Sequence, residues 1–209
     1  MENTFLYQEI IDGHNTIFLY IDKILPEKLY IKTRFWLERK NYKDGYCIDG
    51  KEIPRKQIWF HKERKYFCSK WKYRYNRWES EDYDKTLKEI EEYVMDKVGN
   101  ILNTWEDIEL PEINSCLVNK YRDGNDSIKP HYDSPQSFGE FPTIINLSLG
   151  DEREFIIKKK KKKDKISIKL KNNSLLIMAG GSQKYFTHEV PKSKSESVRY
   201  SMTFRKHLN

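Results

Sequence analysis

Apolar positions along the chain change rhythm near residue 100. From Asp82 to Val98 the residues Leu87, Ile90, Val94 and Val98 recur at steps of three and four. That period predicts an amphipathic helix, with Asp82 as its N-cap and Gly99 just past its end. Beyond it the chain breaks into short runs bounded by turn residues: SCLVNKY, HYD, TIINLSLG, EFIIK, ISIKL, SLLIMAG, KYFTHEV and RYSMTFRK. Several short strands at this spacing predict a β-sandwich or jelly roll, so the expected class is α+β, mainly β. Upstream, residues 16–39 read as a strand, a turn near Pro26 and an amphipathic stretch through Leu29, Phe35, Trp36 and Leu37. The segment NYKDGYCIDGKEIPRKQ carries two turn signals, Asp44-Gly45 and Asp49-Gly50, beside extended aromatic residues, and predicts a hairpin.

A chain of 209 residues has room for one domain with a real core. Residues 1–45 are expected to pack on that core as a flank, and residues 46–209 to form the domain itself. Aromatic residues make up 14% of the chain, which supplies large buried surfaces and argues against disorder. Cys47, Cys68 and Cys116 are odd in number and lack CxxC spacing, so neither a disulfide framework nor a thiolate zinc site is favoured. No apolar run approaches the roughly 20 residues of a membrane span, and the first residues lack a signal pattern. A soluble, intracellular protein is expected. The formal net charge of +7 is concentrated: from Arg153 to Lys171 ten basic residues stand against two acidic ones.

His131 and Asp133 are separated by one residue, so in an extended strand both side chains point to one face. His188 lies in another extended run and offers a third ligand. Two imidazoles and one carboxylate on one face of an octahedral ion leave positions open, an arrangement associated with non-haem iron(II) oxygenases. The triplet alone is equally what a surface histidine beside a turn aspartate looks like. Independent support comes from the last strand, where Arg199, Ser201, Thr203 and Arg205 alternate with Tyr200, Met202 and Phe204. An exposed sandwich strand has this alternation, and so does a cavity wall. On the second reading Arg199 forms a bidentate pair with the far carboxylate of a diacid. Asn119 and Tyr121 have the same spacing and suit either a cavity or a strand ending in the turn RDGND.

The blocks NKYRDGNDSIKPHYD, FPTIINLSLGDEREF, SLLIMAGGSQKYFTHEVPKS and RYSMTFRK, in this order, resemble the AlkB family of iron(II)- and 2-oxoglutarate-dependent dioxygenases. Upstream, IPRKQ at 53–57 resembles a stretch of the vertebrate DNA-repair members. The resemblance covers roughly residues 46–207. It implies a double-stranded β-helix (jelly roll) core with flanking N-terminal helices and a substrate-lid hairpin. It implies iron(II) on His131, Asp133 and His188, and 2-oxoglutarate on Asn119, Tyr121, Arg199, Ser201 and Arg205, with Arg205 also near Asp133. Where repair members usually carry Asn on the last strand this chain has Ser201. After HYD come Ser134 and Pro135 rather than further acids.

The implied reaction is oxidative demethylation of N-alkylated bases of the 1-methyladenine and 3-methylcytosine type. It uses iron(II), 2-oxoglutarate and dioxygen, and releases formaldehyde, succinate and carbon dioxide. The expected partner is nucleic acid, DNA before RNA, with no membrane and a monomeric protein. Tyr66 and Phe67 are the candidate aromatic walls for a flipped base, with Cys68 where an aromatic is typical and Trp59 as a substitute or a core residue. Ser134 is a further candidate substrate contact. Lys159, Lys160, Lys161 and Lys162 are expected to contact phosphates, since such contacts add affinity without reading sequence. A solvated hairpin tip is the plainer account of these lysines. Two rivals remain: an oxygenase of the same fold acting on protein or a small molecule, and an inactive nucleic-acid-binding module.

Overall fold

Alternation of side chains along the C-terminal strands gives each strand two usable faces, and the chain satisfies both by layering sheets and helices. The structure, a computed structural model, describes residues 4–46, 49–63, 65, 79–105 and 108–208. In chain order the elements are β1 (Thr4–Ile11), β2 (His14–Ile21), α1 (Glu27–Glu38), β3 (Lys43–Tyr46), β4 (Glu52–His61), β5 (Glu81–Asp82) and α2 (Lys85–Leu102). Then follow β6 (Ser115–Tyr121), β7 (Ile128–His131), α3 (Pro135–Phe138), β8 (Ile144–Gly150), β9 (Arg153–Lys159) and β10 (Lys165–Leu170). The last are β11 (Ser174–Gly180), α4 (Ser182–Tyr185), β12 (Phe186–Val190) and β13 (Arg199–Arg205).

Among the described residues the major sheet runs β1-β2-β11-β8-β13-β6-β4-β3, with β5 beside β4, and the minor sheet runs β10-β9-β12-β7. From β6 onward the chain passes back and forth between the two sheets, which is the jelly roll. The first strands are not peripheral, because β2 pairs with β11 from Ile21 opposite Leu175 to Thr16 opposite Gly180. No helix among the described residues is long and apolar enough to cross a membrane.

The outer face of the major sheet carries Ile145, Leu147, Tyr200, Met202 and Phe204, packed with Leu87, Ile90, Val94, Val98 and Leu102 of α2. Each such burial contributes about 1.5–3 kcal/mol. The inner face meets the minor sheet through Phe18, Ile144, Phe155, Ile157, Leu176 and Phe186. Polar residues of β13 therefore face inward, between the sheets.

Several boundaries differ from the sequence reading. The α2 N-cap is Asp84, whose carboxylate accepts the Leu87 N–H at 2.9 Å and also the Trp36 indole N–H and the Lys40 ammonium. Such a cap contributes about 1 kcal/mol. Asp82 belongs to β5 instead, and Gly99 lies inside the helix, because the apolar face continues to Leu102. On α1 the buried face is Leu29, Thr33, Trp36 and Leu37, leaving Phe35 exposed beneath the Arg39 guanidinium. The β3–β4 hairpin forms as expected, but Asp44-Gly45 sits within β3, at a register shift, and only Asp49-Gly50 lies at the bend. β7 ends at His131, so Asp133 follows the strand, and Lys184 and Tyr185 belong to α4 rather than β12.

Candidate active site

His131 and His188 are directly opposite each other in the β7–β12 ladder, with ring centroids 4.2 Å apart. With Asp133 they offer ligand atoms that all lie within 4.8 Å of one another. Strand pairing sets the two imidazoles; the chain just beyond β7 brings in the carboxylate. His131 Nδ1 lies 2.9 Å from the Lys129 carbonyl, which can only accept, so Nδ1 carries the proton and Nε2 presents a lone pair. His188 stacks on Phe155 at 5.3 Å between centroids. Burial pushes the pKa of both histidines down, His188 well below the ordinary value, with His131 and Arg205 adding to the effect there. Both rings are thus neutral near pH 7 and able to donate electron pairs.

Asp133 is held from two sides. Arg205 Nη1 donates to Asp133 Oδ2 at 2.9 Å, and the Asp133 backbone N–H donates to Gln183 Oε1 at 3.0 Å. Gln183 is buried in α4, where its Nε2 donates to Ser182 Oγ and Met178 Sδ. The α4 segment sits tightly against β2. At Gly180, with φ of +57°, a Cβ would stand 1.9 Å from the Asn15 carbonyl oxygen, so only glycine fits.

The inward face of β13 and its neighbours forms a polar wall. Arg199 is 1% exposed, and its Nη2 donates to Ser148 Oγ at 2.8 Å. Among the described residues its Nε and Nη1 have no hydrogen-bond partner. Burial lowers the pKa of this guanidinium while the neighbouring Tyr121, whose ring lies 5.0 Å from its Cζ, opposes the shift. A buried cation with open N–H donors is costly unless an anion completes it. Asn119 pairs with Ser201 across β6–β13 and accepts at Oδ1 from Arg55 Nε and Gln57 Nε2. Ser201 Oγ and Thr203 Oγ1 both receive the Asn146 amide.

The structure thus brings together His131, Asp133, His188 and Arg205, and on the same inward face of the major sheet Arg199, Tyr121, Asn119 and Ser201. It adds Arg55, Gln57, Asn146, Ser148 and Gln183, which the sequence reading does not single out. Alternation within PRKQ and the isolated Asn and Ser at period two in IINLSLG are the signals available for the first four. Gln183 has none. Tyr66, Phe67 and Cys68 lie outside the described residues. Trp59 is buried and packs edge-on against His61 and His207, as a core residue does. Ser134 is buried just before α3 and donates to Gln136 Oε1.

The lysine run is not uniform. Lys158 pairs with Glu189 and Lys159 with Glu9. Lys160 donates to the carbonyls of Gln183 and Lys184, whereas Lys161, Lys162 and Lys163 are exposed around the turn. Arg153, part of the same basic segment by sequence, is 2% exposed and donates to the carbonyls of Asp123, Asp126 and Pro191.

Comparison with known proteins agrees with this geometry. The family model of the 2OG-Fe(II) oxygenase superfamily matches residues 27–205. DNA oxidative demethylase ALKBH2 of Arabidopsis thaliana is 34% identical over a segment covering 44% of this chain and 37% of that protein. Alpha-ketoglutarate-dependent dioxygenase alkB homolog 3 of Mus musculus is 38% identical, covering 44% and 36%. The match therefore spans little more than a third of these relatives' length. Among solved structures, OsALKBH1 superposes with a TM-score of 0.67 at 14% identity, over 91% of this chain and 96% of the other. A prolyl hydroxylase of Trichoplax adhaerens, in complex with a hypoxia inducible factor peptide fragment, gives 0.61 at 12% identity, over 91% and 83%. These two likenesses carry the fold. The superfamily's cofactor is iron(II), with 2-oxoglutarate and dioxygen as cosubstrates. The residues present suit that set: two neutral imidazoles and a carboxylate within reach of one ion, and a buried arginine with open donors between the same two sheets. This chain belongs to the 2OG-Fe(II) oxygenase superfamily and is of the AlkB type.

Proposed function

We propose that this chain is an iron(II)- and 2-oxoglutarate-dependent dioxygenase that removes methyl groups from N-methylated bases in nucleic acid, DNA in preference to RNA. The observation that carries the reading is the pairing of the His131–Asp133–His188 cluster with the incompletely bonded Arg199 between the same two sheets. His131, Asp133 and His188 would hold the metal. Arg205 keeps one Asp133 oxygen occupied, which would leave the other to the metal. Arg199 would grip the distal carboxylate of 2-oxoglutarate through its guanidinium N–H groups, whose planar arrangement suits a carboxylate. Tyr121, Asn119 and Ser201 line the same wall, and Asn146 orients Ser201. Iron(II) with 2-oxoglutarate and dioxygen supplies the oxidising power, which turns 2-oxoglutarate into succinate and carbon dioxide and hydroxylates the N-methyl group for release as formaldehyde.

A methyl group on the pairing edge is hidden in a duplex, so the base must be flipped or single-stranded. Tyr66 and Phe67, followed by Cys68, are assigned to its walls, and Ser134 to the rim beside Asp133. Stacking on such walls contributes about 1–3 kcal/mol per base. Phosphate contact is assigned to the lysine loop, chiefly Lys161 and Lys162, since Lys159 and Lys160 already have partners within the protein. DNA is favoured by the plant relative, which is named a DNA oxidative demethylase, and by the IPRKQ segment that supplies Arg55 and Gln57. The whole chain is taken to act as one monomeric domain, with β1 and β2 as part of its major sheet.

The test is formaldehyde release with iron(II) and 2-oxoglutarate across methylated single-stranded DNA, duplex DNA and RNA. Release from DNA is expected. Consumption of 2-oxoglutarate without methyl loss from any of them would move the substrate to protein or a small molecule. No consumption would end the enzymatic reading.

A further inference from the structure

We infer that Lys160, in the middle of the lysine run, is a positioning residue for the metal ligands: it clamps the Tyr132 turn to α4 from outside. This rests on His131, Asp133 and His188 being the metal centre.

Tyr132 stands between two of those ligands. With His131 and Asp133 turned inward to a common point, its ring lies on the opposite side of the chain and is 49% exposed. Lys160 Nζ sits 3.6 Å from the centroid of that ring. The same ammonium donates to the Lys184 carbonyl at 2.7 Å and to the Gln183 carbonyl at 3.1 Å, and the Lys160 backbone N–H donates to the Tyr185 carbonyl at 2.8 Å. One half-buried lysine thus touches both the 131–133 turn and α4. It holds the outer side of the 131–133 turn through the tyrosine face, and holds α4, whose Gln183 side chain accepts the Asp133 N–H. From α4 the chain runs straight into β12, which carries His188.

An ammonium over an aromatic face is attracted by the ring's negative centre, and the attraction grows as water is excluded. Two carbonyl oxygens fix the ammonium in place, so the ring has a rigid counterpart rather than a swinging side chain. Removing the clamp leaves Asp133 with Arg205 and Gln183 but frees the residue between the ligands to rotate. The cost falls on ligand alignment, because partners that orient metal ligands typically change metal affinity about 10–100-fold. Lys165, exposed at the start of β10 in the same basic segment, makes a matched control.

Cobalt(II) titration of the full chain, followed by its visible absorbance, tests the clamp. Lys160→Met is expected to weaken cobalt binding about 10-fold and to change the band shape that reports ligand geometry. Lys160→Arg, which keeps both charge and stacking, should recover most of the loss, and Lys165→Met should match wild type. Tyr132→Leu removes the other half of the clamp and should cause a similar loss, with Lys160→Met adding little on top. Wild-type affinity and spectrum in both Lys160→Met and Tyr132→Leu would overturn the inference. So would an equal loss in Lys165→Met, which would indicate a general charge effect. A wild-type protein that binds cobalt no better than His188→Ala would instead remove the metal centre itself, and the clamp with it.

Discussion

Arg205 reaches back 72 residues to place its Nη1 2.9 Å from Asp133 Oδ2, and both side chains are about nine-tenths buried. The pair joins the end of β13 to the turn after β7, across the mouth of the two sheets. Removing one member of a buried pair strands the other's charge, at a cost of about 3–5 kcal/mol. Arg205→Met should therefore destabilise the metal-free protein strongly in urea unfolding. Adding Asp133→Asn should recover part of that loss, because the stranded charge is gone. A double variant as unstable as the sum of the singles would show that the pair contributes nothing to the fold.

Arg199 is expected to behave in the opposite sense. With Nε and Nη1 buried and without a hydrogen-bond partner among the described residues, its charge weakens the cosubstrate-free protein, so Arg199→Met should be neutral or stabilising in thermal unfolding. The same variant should lose the rise in Tm that 2-oxoglutarate gives the wild type. Arg199→Lys keeps the charge but not the fork, and should raise the KM for 2-oxoglutarate about 10-fold or more. An unchanged KM would mean that the diacid is held elsewhere.

The lysine loop divides by geometry. Replacing Lys161, Lys162 and Lys163 with Ser should lower the dependence of DNA affinity on salt, by about 0.7–0.9 in the log–log slope for each phosphate that is no longer neutralised. Lys159→Ser should change it less, because Lys159 is already paired with Glu9. Equal slopes for the triple variant and wild type would assign the loop to plain solvation.

Acid should weaken the fold through His61. Its Nδ1 accepts the Glu63 N–H at 3.0 Å, and burial lowers its pKa. The unfolded chain takes up a proton near pH 6.5, while the folded chain does so only at lower pH. The stability is therefore complete above about pH 6.5 and falls as the pH drops below it. His61→Gln should flatten that decline in metal-free protein. His131 and His188, whose pKa values are also lowered by desolvation, contribute in the same direction, so some slope should persist. A variant with the wild-type pH profile would show that His61 is solvated before it titrates.

Local spacings in the sequence carry much of the candidate site. Period two along RYSMTFR predicts which face of β13 is polar, because a strand has only two faces and Tyr200, Met202 and Phe204 claim the apolar one. The same rule places Asn119 with Tyr121. Order along the chain then points to the candidate metal residues through a family resemblance, since a His-x-Asp triplet alone is too common. Spacing fails where geometry leaves the strand. Asp133 converges with His131 although β7 has already ended, and the α2 cap is Asp84 rather than Asp82, because acidic residues at 81, 82 and 84 leave the choice to packing.

Only tertiary structure decided which lysine of six consecutive ones is solvent-facing and which lies against the turn between His131 and Asp133. Sequence treats Lys158 to Lys163 as equivalent, but Lys158 and Lys159 meet acids from other strands and Lys160 meets carbonyls of α4. Arg153 shows the same divide: its charge reads as part of a basic loop until three carbonyls from distant loops surround it. Charge and alternation are properties of a segment and can be read along the chain, whereas a partner is a property of where the rest of the chain returns.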